Sequence, residues 1–75
     1  MSKKKLFEDI RRNPPRIYRI PADVLRDRRF GDMERMEILR AWRGHERDPA
    51  ERDEIDATIA KLEERLCAAS DHATG

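Results

Sequence analysis

The chain has 75 residues, which is enough for one small domain. Charged residues make up 44% of it, but 17 basic and 16 acidic side chains leave a formal net charge of only +1. Hydrophobic residues account for 37% of the chain. This composition suits a minimal helical core and excludes a large enzyme with a deep, dry active-site cavity.

The sequence contains no candidate for a membrane span or a secretory leader. No apolar run approaches the roughly 18 residues that a span needs. The basic residues 3–5 are followed by Leu6, Phe7 and then two acidic residues, so the apolar region of a signal peptide is missing. The single cysteine, Cys67, excludes an internal disulfide and is typical of a reducing cytoplasm. We therefore expect a cytoplasmic protein without membrane contact.

The small net charge hides a strong asymmetry along the chain. Residues 1–47 hold 14 basic and 8 acidic side chains, whereas residues 48–75 hold 3 basic and 8 acidic ones. A chain polarised in this way can attract its own other half, a charged partner or a second copy of itself.

The first 20 residues are predicted to form a basic arm, much of it an extended strap. Leu6, Phe7 and Ile10 have the spacing of one face of a short helix, but the Asn-Pro-Pro run at 13–15 stops it because proline lacks the backbone donor. Residues 16–20 are β-branched, aromatic and basic and lie between two prolines, which favours extended backbone. A single strand would have no partner for pairing.

Two helices are predicted in the middle of the chain. Pro21 suits the first position of a short helix over residues 21–27. A second helix over residues 33–43 carries an apolar stripe, with Asp32 as its N-cap and Gly44 in the position of a left-handed C-cap.

The last helix is predicted over residues 49–69. Asp48 is a good N-cap, Pro49 suits the first helical position, and Glu51 follows the cap by three residues, which approximates a capping box. The apolar seam steps by four and three residues through Ile55, Ile59, Leu62, Leu66 and Ala69. Residues 70–75 are expected to be a disordered tail.

These elements predict an all-α fold, a helical hairpin of residues 33–43 and 49–69 within a helical domain of residues 21–69. The connection of five residues makes the two long helices antiparallel neighbours. At 1.5 Å per residue the last helix exceeds its partner by about 15 Å. Leu62 and Leu66 therefore need a cover, supplied within one chain by the short helix of residues 21–27 and the strap, or by a second copy in a weak homodimer.

No residue pattern indicates catalysis, a metal or a cofactor. His45, Cys67 and His72 are far apart in sequence, and the acidic run 51–56 lacks the glycine and alternating oxygens of an EF-hand. The only serines, Ser2 and Ser70, have no base fixed beside them, and the three glycines form no phosphate-binding loop. We therefore expect a non-enzymatic protein.

The remaining function classes are protein binding and nucleic-acid binding. The basic arm offers phosphate contacts, and Tyr18 offers a ring on which a base could stack. Glu8 and Asp9 interrupt the basic arm, and Glu34 and Glu37 lie on the helix that would have to read a groove, so protein binding is favoured. The expected contact residues are Arg11, Arg12, Arg16, Tyr18, Arg19, Trp42, Leu62 and Leu66. Trp42 and Tyr18 are also natural core residues, and only an exposed Trp42 would indicate a docking hot spot.

A short motif resembles a group of small, uncharacterised proteobacterial helical proteins. Their pattern is an aromatic-x-x-Pro-x-Asp-Val segment followed by a helix with a basic residue and Ile-Leu-x-x-Trp. The matching residues here are Tyr18, Pro21, Asp23, Val24, Arg35, Ile38, Leu39 and Trp42. Members usually continue with an acidic residue after the tryptophan, where this chain has Arg43. The resemblance implies a fold and a bacterial origin. It implies no activity, and we expect a small regulator or accessory subunit that binds another protein.

Overall fold

A computed structural model describes the backbone of residues 3–74 and the side chains of residues 3–67. Its helices are α1 (Lys3–Arg12), α2 (Pro14–Ile17), α3 (Ala22–Arg26), α4 (Asp32–His45) and α5 (Pro49–Thr74). Residues 3–74 contain no strand. The predicted all-α class is therefore confirmed.

Helices α4 and α5 form the predicted antiparallel hairpin. The Arg43 guanidinium pairs with Asp56 near the turn, and Arg65 lies 3.8 Å from Asp32 at the far end. The inner faces of the two helices supply most of the core, as the apolar periodicity predicts. The residues expected in this core are buried or, for Ile59, partly buried: Ile38, Leu39, Trp42, Ile55, Ile59 and Leu62.

Most of the amino-terminal segment is helical, and the extended strap predicted over residues 16–20 is wrong at Arg16 and Ile17, which lie in α2, whereas residues 18–20 lie outside the helices. Ile10 is fully buried, and the Phe7 ring packs 5.6 Å from the ring of Phe30. Helix α1 packs on α4 through this face, and tertiary packing of an amphipathic face stabilises a helix that is too short to form alone. The prolines of residues 14–15 do stop α1, but they then begin the single turn of α2. Tyr18 returns the chain to extended geometry.

The ends of α4 differ from the predicted ones in two places. Gly31, rather than Asp32, is the N-cap of α4, and its N–H donates to the Glu34 carboxylate at 3.0 Å. Gly44 lies inside α4 with a negative φ and is no left-handed C-cap, because the helix continues to His45 and closes with the Glu46 N–H on the Trp42 carbonyl.

Helix α5 begins as predicted and ends later. Asp48 accepts the Ala50 N–H at 3.0 Å, which confirms it as the N-cap. The backbone N–H of Asp48 donates to Glu46, rather than to Glu51 as the capping box requires. The helix continues to Thr74, so the predicted end at residue 69 and the tail from residue 70 are wrong up to Thr74, and Gly75 lies outside the described residues. Because Arg65 is level with the start of α4, about nine residues of α5 extend beyond it, roughly 14 Å.

Leu62 and Leu66 are covered to different extents within the chain, and the predicted strap is not what covers them. Leu62 is fully buried within its own chain, and Leu66 is partly buried. Leu25 of α3 lies beside Lys61, Glu64 and Arg65 of α5, so α3 contributes to this cover. Tyr18 instead packs at the other end of the hairpin, on Trp42.

Candidate interaction surfaces

Tyr18 and Trp42 form the stacked centre of the core. Their ring centroids lie 6.5 Å apart with 22° between the ring planes, and the side chains are only 5% and 3% exposed. The Tyr18 hydroxyl donates to the Asp27 carboxylate at 2.7 Å. Neither ring has a free face for a base or a partner protein. The contact roles expected of Tyr18 and Trp42 are therefore wrong, and both are packing residues.

Leu62 and Leu66 differ in their exposure. Leu62 has no exposed surface in the folded chain, so its expected contact role is also wrong. Leu66 remains at the edge of a surface groove between α4 and α5. Only Leu66 of this pair is therefore available to a second molecule.

Asp27 fastens the loop after α3. Its carboxylate accepts the Arg29 backbone N–H at 3.0 Å and the Arg29 guanidinium at 2.8 to 3.2 Å. These bonds from Arg29, together with the one from Tyr18, hold the pKa of Asp27 well below its ordinary value of 3.8. Burial and the hydrogen bond to the Asp27 anion raise the pKa of Tyr18 above its ordinary value of 10.0.

Arg35 fastens α4 to the end of α3. Its guanidinium donates to the Asp27 carbonyl through Nη2 at 2.8 Å and through Nε at 3.2 Å, while Nη1 donates to the Asp32 carboxylate at 2.6 Å. Val24 of the same motif is fully buried. Four residues of the short motif therefore have structural roles. Tyr18, Val24 and Trp42 are core residues, and Arg35 holds α4 against the end of α3.

Four arginines at the end of α1, in α2 and just after it form what we call the arginine surface: Arg11, Arg12, Arg16 and Arg19. All four are exposed. Within the part of the chain that the structure describes, none of them pairs with a carboxylate, and Arg11 lies 5.6 Å from the centre of the Phe7 ring. Their charge is therefore free to meet another molecule.

Two adjoining grooves run along the arginine surface and share Arg12. The first has a volume of about 550 Å³ and lies between α1 and the end of α4; it is lined by Glu8, Arg11, Arg12, Ala41 and His45. The second has a volume of about 530 Å³ and is lined by Leu6, Asp9, Arg12, Asn13, Arg16 and Ile17. Ile17 and the nearby Ile20 are 45% and 43% exposed, so apolar side chains lie among the cations.

Among the described residues, the ion pairs between the two charged halves of the chain are confined to α4 and α5. Helices α1 and α5 both pack on α4. The pairs Arg43–Asp56 and Asp32–Arg65 join the halves, and both run between α4 and α5. The arginine surface takes part in neither pair. Its positive charge is thus not neutralised by direct contact with the acidic side chains of α5.

The carboxylate of Glu46 binds backbone N–H groups in the loop between α4 and α5. The Glu46 carboxylate accepts the N–H of Asp48 at 3.2 Å and of Arg47 at 3.1 Å, and these bonds, the first most strongly, lower its pKa. Interaction with the neighbouring Glu46 carboxylate raises the pKa of Glu51. The buried indole N–H of Trp42 has no hydrogen-bond partner among the described residues. This arrangement caps the turn, and sequence reasoning missed it because it assigned the cap to Glu51.

The groups considered for catalysis or metal binding stay apart. Cys67 is exposed, and His45 lies in the first groove of the arginine surface. The side chains of Ser2, Ser70 and His72 lie outside those that the structure describes. Within residues 3–67 no three His, Cys, Asp or Glu side chains come together as a metal site would require.

A second surface that the sequence did not single out lies on the outer side of α4. Met33, an apolar residue in the first turn of α4, is 73% exposed. It lines a groove of about 360 Å³ together with Met36, Glu37, Arg40, Glu63 and Leu66. The sequence could have indicated this surface, because Met33 does not lie on the same helix face as the core residues Ile38, Leu39 and Trp42.

Comparison of the chain with protein-family models, with curated proteins and with solved structures finds no significant match. None of the helices in residues 3–74 combines the length and apolar character that crossing a membrane requires.

Proposed function

We propose that the protein is a non-enzymatic interaction module that docks the acidic surface of another protein onto its arginine surface. The observation that supports this proposal is the set of four exposed arginines without carboxylate partners among the described residues, three of which line two adjoining grooves. Guanidinium groups bind carboxylates with two parallel hydrogen bonds, which gives both affinity and orientation. Arginine is also among the residues enriched at protein interfaces.

A protein is favoured over a nucleic acid as the partner for two reasons. Ile17 and Ile20 lie beside the cations, and a partner with both carboxylates and apolar side chains uses the whole surface. A phosphate backbone would gain nothing from the isoleucines. Tyr18, the ring expected to stack on a base, lies in the core.

The proposal describes a small regulator or accessory subunit that acts in the cytoplasm. A free, exposed thiol at Cys67 is compatible with a reducing compartment. The resemblance to the proteobacterial group supports a bacterial origin and agrees with a role that depends on the fold rather than on chemistry.

A photo-crosslinking experiment tests the proposal in the native cell. A photoreactive amino acid replaces Arg16 in the second groove or, as a control, Ala57 on the exposed side of α5. We expect one protein adduct from position 16 and not from position 57. The double variant Arg12→Glu/Arg19→Glu, which keeps position 16 free for the probe, should abolish this adduct. The matched variant Arg26→Glu/Arg28→Glu changes the net charge equally at exposed sites outside both grooves and should retain it.

The same experiment and a direct titration can overturn the proposal. Equal adducts in both charge variants, or from both probe positions, would mean that the arginine surface is not the docking site. Saturable, submicromolar binding of duplex DNA near physiological salt would support the nucleic-acid alternative. That binding should weaken by about 0.9 log unit per log unit of salt for each phosphate contact. We expect only weak, non-saturating binding of duplex and single strands.

A further inference from the structure

One face of α4 is exposed and has no packed partner among the described residues. Met33, Glu37, Arg40 and Gly44 follow one another at intervals of four, three and four residues, so they form one line along the helix. All four are exposed. We call this line the outer stripe of α4.

Gly44 in this stripe is not explained by the fold of a single chain. Its φ is negative, so the backbone does not require glycine, and a Cβ at this position would meet nothing within 4 Å. Glycine inside a helix is nevertheless less favourable than alanine. Glycine at such a site leaves the helix surface flat and so allows the close approach of a second molecule.

The charged residues of the stripe are also without partners. Glu37 and Arg40 lie three positions apart on the same helix, where a salt bridge is possible, but they make none within 4 Å, nor does either pair with another residue of the described chain. Opposite charges that do not pair with each other can pair with the same two residues of another copy.

An antiparallel pair of α4 helices gives each of the four stripe residues a contact with the other copy. A two-fold axis that passes between Ile38 and Leu39 brings together residues that are equally far from this midpoint. Met33 then lies opposite Gly44 of the second copy, and Glu37 lies opposite Arg40 of the second copy. Each contact occurs twice because the interface is isologous.

We propose that two copies of the protein associate through the outer stripe of α4 in this antiparallel register. The exposed methionine of one copy packs over the flat glycine surface of the other, and two symmetric Glu37–Arg40 pairs fix the register. The groove beside the stripe, where Leu66 and Glu63 lie, adds apolar and acidic surface from α5. This association does not depend on the proposed docking of an acidic protein, which uses the arginine surface.

The size of the stripe sets the strength of the association. Helix α4 has 14 residues, a length of about 21 Å. A contact of this length with part of α5 buries less than the roughly 800 Å² per partner that stable interfaces need. We therefore expect a reversible dimer that forms at micromolar concentration and above.

Sedimentation equilibrium from low to high micromolar concentration, combined with charge exchange, tests the proposal. Arg40→Glu places like charges opposite each other twice and should raise the dimer dissociation constant by about tenfold or more. Glu37→Arg should have a similar effect. The double variant Glu37→Arg/Arg40→Glu restores opposite charges across the axis, so dimerisation should return. Arg28→Glu, an equal charge change at an exposed loop residue, serves as the matched control and should not affect it.

Three results would overturn the proposal. A purely monomeric mass at high micromolar concentration would mean that the face serves a different protein or none. Dimerisation that survives Arg40→Glu would place the contact elsewhere on the chain. Failure of the double variant to recover, with helical content unchanged by circular dichroism, would exclude the antiparallel register.

Discussion

The Tyr18 hydroxyl donates a 2.7 Å hydrogen bond to Asp27 across the whole of α3. The tyrosine ring itself stacks on Trp42, so this one side chain joins the core to the loop that leads into α4. Arg35 binds the carbonyl of the same aspartate from α4. The ends of α2, α3 and α4 are thus held around Asp27 by three different donors, with Arg29 as the third.

Tyr18→Phe should reduce the free energy of unfolding by about 1–3 kcal/mol, because the lost hydrogen bond is to a charged, partly buried acceptor. Urea denaturation at neutral pH measures the change. The double-mutant cycle with Asp27→Asn isolates the contact, and the two single changes should be clearly non-additive. Additive effects would mean that the hydroxyl and the carboxylate stabilise the fold independently.

The same pair predicts loss of stability at both ends of the pH range. Folding lowers the pKa of Asp27 below 3.8, so its stabilising contribution is present above that pH and declines as the pH falls below it. Folding raises the pKa of Tyr18 above 10.0, so its contribution is present below that pH and declines as the pH rises beyond it.

Thermal unfolding of wild type and two variants across this pH range checks the assignment. Asp27→Asn should flatten the acid side of the profile, in part only, because the pKa values of Glu34 and Glu46 are also lowered in the folded state. Tyr18→Phe should flatten the alkaline side. Profiles that remain parallel to wild type would contradict the predicted linkage.

Leu62→Ala should destabilise the protein by about 2–5 kcal/mol, because it removes a fully buried side chain from the seam between α5 and the rest of the core. Ile17→Ala is a suitable control, since Ile17 is 45% exposed and should cost much less. A change within measurement error at Leu62 would mean that the seam does not face the core.

The hairpin followed from the sequence because its signals are local. The seam through Ile55, Ile59 and Leu62 and the cap at Asp48 depend only on helical spacing and backbone donors. The spacing of Leu6, Phe7 and Ile10 indicated a short helix before the prolines, but it was not predicted as an element, because its stability depends on distant contacts such as the packing of Phe7 against Phe30.

The sequence predicted the candidate surfaces less well than it predicted the hairpin. The charges of Arg11, Arg12, Arg16 and Arg19 made their exposure predictable, but the groove that places His45 beside Arg12 needs the packing of α1 on α4. Tyr18 and Trp42 fit either a core or a contact surface by residue type, and only the tertiary structure distinguishes the two. Gly44 has the position of a C-cap in the sequence, yet α4 continues through it.

Gly44→Ala separates the stability of the single chain from its self-association. The φ of Gly44 is negative and a Cβ meets no atom within 4 Å, so alanine fits the helix without strain. Its higher helix propensity should raise the free energy of unfolding of the dilute monomer by up to about 1 kcal/mol. The added methyl group lies where Met33 of a second copy would pack, so dimerisation should weaken at the same time. Ala41→Gly provides a comparison inside the same helix, off the outer stripe, and should lower stability without this opposite effect on association. A Gly44→Ala variant that is both more stable and equally able to dimerise would contradict the role of the glycine at the interface.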